Sequence, residues 1–344
     1  MSGADTRQRG ANVKTNRIKV ALLFALLILF ISACSRNSPV QVEKIVVGAE
    51  TVAQASPVWI AEKKGYFKEE GLDVEVREFE SGRTAMRAML RADDIDIVTA
   101  AQTPVVFNSF GRSDYAIIGN MVYSDNDVKI LVRRDRKISS PSDLKGKTVG
   151  ITAGSSGHFF LNLFLIYNGL QMADVKTIDI EATRLPQALI DGQVDAIATW
   201  EPHIYKAKKA LGDRILLLPS RGMYREDFYL IARKSFIQKH PEAVRRFLRA
   251  IEKGEEFILK NKKEAMDIVG QRLKLNKEIM DATWDDFQFS LSLDQSTLVA
   301  LEDEARWAIR NKLTDAAKVP NYLDYVYTDS LRAVKPGAVT ITGR

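Results

Sequence analysis

Cysteine is almost absent from this 344-residue chain: there is one, Cys34, and there are only three histidines, His158, His203 and His240. A single cysteine excludes disulfides, iron–sulfur clusters and thiolate zinc sites. The histidines stand singly, with no HExxH or comparable metal-ligand spacing. No Gly-Lys-Ser/Thr ending follows the glycine-rich stretch Thr152 to Gly157, so it is not a Walker phosphate loop. No nucleophile–base pair stands out, which argues against an enzyme and for a protein without cofactor or metal.

An excess of charge of one sign is also missing. The whole chain carries 50 Lys and Arg against 44 Asp and Glu. Five of the basic residues (Arg7, Arg9, Lys14, Arg17 and Lys19) and one acid, Asp5, fall within residues 1–33. Residues 34–344 then carry 45 against 43, a net of +2. That is no footprint for nucleic acid.

The N-terminus does carry information. A basic head precedes an apolar run from Val20 to Ile31, then Ser32, Ala33 and Cys34. Basic residues, a short apolar segment and small residues at its end make a secretory signal. The run falls short of the roughly 20 apolar residues that span a bilayer. The residues Ile31-Ser-Ala-Cys34 resemble a bacterial lipobox, where the thiol carries a diacylglycerol through a thioether. The expectation is a signal peptide over 1–33, lipidation on Cys34, a polar tether over 34–43, and export with anchoring to a bacterial membrane on its periplasmic or outer face.

About 310 residues remain, more than one typical core, and they predict two lobes. Short apolar runs alternate with helical patterns: Ile45 to Val47, Val58 to Lys64 ending at Gly65, Val74 to Phe79, Thr84 to Arg91, Ile95 to Thr99. The alternation continues through Thr148 to Ile151, His158 to Tyr167 and Val194 to Thr199. Strands alternating with helices predict an α/β fold with mostly parallel sheets. From Pro241 to about Leu313 the pattern is helical, with Val244, Leu248, Ile251 and Ile258 on one face. Asp127 to Arg134 and Asp227 to Lys234 are each an apolar strand closed by a basic pair, and they predict a two-strand hinge. The lobes are then 44–132 with 230–344, and 133–229.

Ligands of open α/β sheets bind beyond the carboxyl ends of strands. Four junctions qualify: Ala49 to Pro57, Ala100 to Pro104, Thr152 to Gly157, and Trp200-Glu-Pro202. Ser or Thr before Pro is a helix start, so each junction offers backbone N–H groups and the positive end of a helix dipole to an anion. Glu50, Glu201 and Asp227 would oppose a bare anion if they face inward. A zwitterion with an amine reconciles both tendencies.

These residues resemble a known family, the periplasmic binding proteins of nitrate, sulfonate and taurine ABC importers with the related thiamine-precursor binders. The matching runs are Val58 to Val74 (VWIAEKKGYFKEEGLDV), Ile95 to Thr99 (IDIVT), Leu144 to Gly150 (LKGKTVG) and Gly192 to Pro202 (GQVDAIATWEP). The resemblance implies the two-lobed type II periplasmic-binding-protein fold, with two mixed, mostly parallel sheets, a two-strand hinge and a central cleft. It implies a monomeric, non-enzymatic receptor for a small anionic or zwitterionic solute, with an ABC permease and ATPase in separate chains. Carried over by position, the ligand contacts are Glu50 in the first-strand loop, Ser56, Gln102, Thr103, Ser155, Ser156, Trp200, Glu201 and Asp227. The thiamine-precursor branch has an Asp-Trp-x-Pro-Asn type start. Here the chain reads Gly48-Ala-Glu-Thr-Val, which departs from it. The alternatives are a thiamine-pyrimidine-precursor binder, a pyrimidine-forming enzyme of the same fold, or a ligand-binding sensor adaptor.

Overall fold

The computed structural model describes residues 42–342 except residue 93. The expected signal peptide, Cys34 and nearly all of the tether lie outside the described residues. Glu43, expected to end the tether, is already the first residue of a strand.

Eleven strands among the described residues form two sheets. The first sheet holds β1 (Glu43–Glu50), β2 (Leu72–Phe79), β3 (Ile97–Ala101), β4 (Tyr115–Ser124), β10 (Glu226–Arg233) and β11 (Gln288–Ser292), in the order β11-β4-β10-β3-β1-β2. The second holds β5 (Lys129–Arg133), β6 (Thr148–Ile151), β7 (Lys176–Asp179), β8 (Ala196–Thr199) and β9 (Ile215–Leu217), in the order β7-β6-β8-β5-β9. β1 runs parallel to β2 and β3, while β10 is antiparallel to both its neighbours, β3 and β4. In the second sheet β6 is parallel to β7 and β8, and β5 is antiparallel to β8 and β9. Mixed α/β sheets with helices between strands are what the alternating pattern predicts.

Local chemistry places several elements. The helix Ser56–Lys64 stops at Gly65, whose φ of 77° is left-handed and suits a residue without Cβ. The helix Gly82–Arg91 starts on Ser81, whose hydroxyl accepts from the Thr84 N–H while the Thr84 hydroxyl accepts from the Ser81 N–H. All eight residues of β10 are buried, so this strand lacks the alternation that would mark one solvent face.

Two expectations are corrected. Of the segments Asp127 to Arg134 and Asp227 to Lys234, expected to mark the two crossings, the first supplies β5 of the second sheet and the second supplies β10 of the first. The chain leaves the first sheet between Ser124 and Lys129 and returns between Leu217 and Glu226, because those are the stretches that neither ladder holds. The boundaries expected at 132/133 and 229/230 therefore fall inside strands. The tail also supplies a strand: β11 pairs with β4 at a sheet edge, through only three registered residue pairs, too few to give a clear period-2 signal.

The 20-residue helix Pro241–Lys260 lies on the first sheet's side of the molecule and packs on the helix Ser56–Lys64. Gly254 makes that approach possible. A Cβ there would sit 2.6 Å from the Pro57 carbonyl oxygen. Gly254→Ala is therefore expected to destabilise the fold by about 1–3 kcal/mol, the clash outweighing the roughly 1 kcal/mol by which alanine favours a helix. Urea unfolding checks it; a raised midpoint would show that the two helices separate freely.

Candidate ligand cleft

The ends of strands from both sheets, with the two crossing segments, enclose a narrow polar cavity. Glu50, Gln54, Arg83, Ser156, Trp200 and Glu226 supply its polar lining, and Phe228 part of its apolar wall. Glu50 ends β1. Its backbone N–H donates to the Thr99 hydroxyl at 2.9 Å, and its carboxyl Oε2 accepts the Gly82 N–H at 2.8 Å. Gly82 is required by this closeness, since a Cβ would meet the Ala100 Cβ at 2.7 Å.

The opposite wall is built from the loop after β6. Ser155 donates its hydroxyl to the Thr152 carbonyl at 2.7 Å, and the helix Ser156–Tyr167 begins there. Gly157 lets that helix start press on β8, because a Cβ would lie 2.6 Å from the Ala198 carbonyl oxygen. Trp200 follows β8 directly. Its indole N–H approaches the Glu50 carboxyl without closing a hydrogen bond.

The crossing segments contribute two acids. Asp127 Oδ2 accepts from Gln54 Nε2 at 2.6 Å. Glu226 lies against the Ser156 hydroxyl and the Asp127 carboxyl. Burial pushes Glu50 up to about 8, against the opposing Gly82 N–H. Burial pushes Glu226 to about 7, and it raises Asp127 well above the usual carboxylate range with the charge of Glu226 adding to it. Gln54 Oε1, Arg83 Nε, Trp200 Nε1 and Glu226 Oε2, all on residues of the lining, are buried without a hydrogen-bond partner, as is Asp127 Oδ1 beside them. Buried polar groups are normally paired, so four such atoms around one cavity are a reason to look for a ligand there.

Two devices bring the walls together. Arg83, on the helix Gly82–Arg91, donates to the Ala153 carbonyl at 3.0 Å and to Glu181 at 2.7 Å, both from the side of the second sheet. Trp307, on the helix Gln295–Arg310, packs edge-on with His158 and Phe159 of the opposite wall at ring-centroid distances of 5.0 and 5.1 Å. A wider surface groove between the helices Lys262–Leu273 and Lys277–Thr283 has no comparable set of buried acids. Among the described residues no group of three His, Cys, Asp or Glu is placed to hold a metal ion.

Of the residues expected to contact ligand, Glu50, Ser155, Ser156 and Trp200 line the cavity. The others do not. Ser56 caps nothing; its hydroxyl donates back to the Ala53 carbonyl, and the helix N-cap is Ala55. Thr103 sits inside the first turn of the helix Gln102–Ser109, fully buried and facing Glu304. Gln102 is also fully buried: its side chain accepts from the Asp227 N–H and donates to the Arg225 carbonyl. Asp227 turns away from the cavity onto Asn120 and Arg225. Glu201 turns back to accept the Tyr205 N–H at 3.0 Å and faces a separate groove.

Gln54, Arg83, Asp127 and Glu226 were not foreseen. Asp127 and Glu226 each sit at a flank of a segment that the sequence did mark. Neighbouring residues on a strand face opposite ways, so Asp227, the acid expected at the site, faces away from the cavity while Glu226 beside it faces in.

Two mixed sheets joined by two crossing segments around a polar cavity define the periplasmic-binding-protein class of fold. A solved alkanesulfonate-binding protein of Xanthomonas axonopodis, bound to MOPS, has this architecture with a TM-score of 0.73 and 20% identity, covering 84% of this chain and 99% of that one. The family model described as NMT1/THI5 like matches residues 52–265, and the chain belongs to that family. A binding protein of Brucella abortus is 29% identical over 76% of this chain and 80% of its own length. A Bacillus subtilis protein named for binding aliphatic sulfonates is 28% identical over 77% of this chain and 81% of its own. The chain is thus a solute-binding member of the family rather than an enzyme, which sets aside the pyrimidine-forming catalyst.

Proposed function

We propose that this chain is the extracytoplasmic solute receptor of an ABC importer, and that it captures its solute by closing two lobes over the cavity. The observation that carries this is the cavity itself. It lies between sheets joined by only two crossing segments, and both sides of it present buried polar atoms without partners. Residues 43–124 with 226–342 form one lobe and 129–217 the other. Closure transfers those atoms from water to the solute, so solute favours the closed form, which a permease reads.

The relatives named for sulfonates and taurine support the importer role. Of an anionic or zwitterionic solute, the cavity best supports an amine-bearing end, because two buried acids, Glu50 and Glu226, line it. In the same reading, residues 1–33 are removed on export, Cys34 carries the lipid, and the chain acts as a monomer on the outer face of the membrane beside its permease and ATPase. No helix among the described residues is long and apolar enough to cross a membrane.

Small-angle scattering with a panel of small polar metabolites tests the receptor role. The expected result is a smaller radius of gyration with one class of solute, which is recovered unchanged. Binding without compaction, or recovery of a product, would sink it. Cys34→Ser is expected to move the protein from the membrane fraction to the soluble fraction.

A further inference from the structure

Two helix N-termini that converge on the cleft already hold a carboxyl of the protein itself. At the helix Gly82–Arg91 it is Glu50, whose Oε2 takes the first N–H. At the helix Ser156–Tyr167 it is Glu226, against the Ser156 hydroxyl. The first of these dipole ends is therefore occupied by Glu50, and Glu226 stands beside the second, so neither is free of negative charge for an incoming anion. An added sulfonate or nitrate would face two acids across a narrow cavity.

The lining carries little to offset them. Arg83 is the one cationic side chain among the cavity-lining residues, and its two terminal nitrogens are engaged by Glu181 and the Ala153 carbonyl. Gln54 has its amide nitrogen on Asp127, which leaves Oε1 as its free atom. Gln54 Oε1 and Glu226 Oε2 are acceptors without partners, on side chains that are 4% and 5% exposed. Trp200, also 5% exposed, presents an unpartnered indole N–H and a flat aromatic face, and Arg83 Nε is the other buried donor of the lining without a partner. Carboxyls, an amide oxygen and an aromatic ring around a closed space form a receptor for N–H donors and positive charge. The acids are not arranged as metal ligands.

Resting on the receptor reading above, we infer that the solute is a small organic nitrogen cation with at least two N–H donors, of the guanidinium, amidinium or alkylammonium type. It sits between Glu50 and Glu226, with N–H groups on Gln54 Oε1 and Glu226 Oε2 and the Trp200 ring as one wall. The carboxyls that are protonated in the empty cavity give up a proton to solvent as the cation enters, which keeps the buried charge balanced.

Isothermal titration calorimetry on the mature chain at pH 7, in two buffers of different protonation enthalpy, tests this. The probes are methylguanidinium, acetamidinium and butylammonium on one side, and methanesulfonate and nitrate on the other. The expected result is binding of at least one nitrogen cation with proton release, and no binding of either anion. Glu50→Gln and Glu226→Gln are each expected to weaken it at least tenfold, while Glu256→Gln on the exposed surface leaves it unchanged. Should an amide variant fail to fold, Glu50→Asp retains the acid but withdraws it, and the same weakening is expected. Binding of methanesulfonate or nitrate without any cation would overturn the ligand class and leave the receptor reading standing. Binding of neither set also overturns the class. A cation that binds and is recovered chemically altered would overturn the receptor reading and leave the class intact.

Discussion

Raising the pH from 5 to 8 is expected to lower the stability of the empty protein, and Glu50→Gln to remove much of that loss. Below about 4.5 the Glu50 carboxyl is protonated whether the chain is folded or not. Between there and about 8 the unfolded chain releases the proton while the folded chain keeps it, because burial penalises the charged form. The folded state then binds more protons than the unfolded state, so stability falls as pH rises through that window and levels off above it. For this one group the loss between pH 5 and 8 is on the order of 3 kcal/mol. That corresponds to a fall of roughly 5 °C or more in melting temperature for a chain of this size.

Glu226 and Glu304, raised by burial to about 7 and about 8, act in the same direction. Paired carboxylates show the opposite trend. Glu70 is held low by Arg249 and Lys253, and its contribution is lost on acidification. Melting curves of wild type and Glu50→Gln from pH 5 to 9 make the comparison. Equal slopes in the two proteins would mean that Glu50 is ionised in the folded state throughout. A nitrogen cation in the cleft is expected to flatten the wild-type slope, since it favours the ionised acids.

Trp307→Ala is expected to cost about 3–5 kcal/mol, the usual range for truncating a buried tryptophan, and to open the cleft as well. Trp307 is 2% exposed and meets Phe107 at 5.9 Å on its own side, but His158 and Phe159 on the opposite wall. Its loss leaves a void between the walls, and that void closes most readily if the walls part. The variant should therefore melt lower and, well below its melting temperature, scatter with a larger radius of gyration than wild type. A lower melting point with unchanged scattering would assign Trp307 to the core of one lobe alone. Phe107→Ala, which thins only one side, serves as the comparison.

Much of this was legible in the residues themselves. The alternation of short apolar runs with helical patterns marks βαβ units, because each pattern reflects which backbone hydrogen bonds and which faces the local chain can satisfy. Gly65 marks a helix end for the same local reason. The strand-end rule led to Glu50, Ser155, Ser156 and Trp200, since the exit from a strand into a helix is written in a few consecutive residues. Ser56 and Thr103 show its limit. Both precede proline at a helix start, yet both turn inward once the helices pack.

The crossing acids depended on tertiary structure. β10 is buried along its whole length, so its sequence carries no period-2 signal to say which side Glu226 or Asp227 faces. That parity comes from pairing with β3 and β4, and bulges against β4 between Phe228 and Tyr229 and between Leu230 and Ile231 shift it again. Asp127 and Gln54 are 73 residues apart and meet only because the first crossing passes over the loop after β1. By itself, the sequence determined the α/β class and the strand ends where a solute would be sought. The sign of charge it would meet there was decided by which acids the two sheets bury together, and burial is a property of the assembled fold.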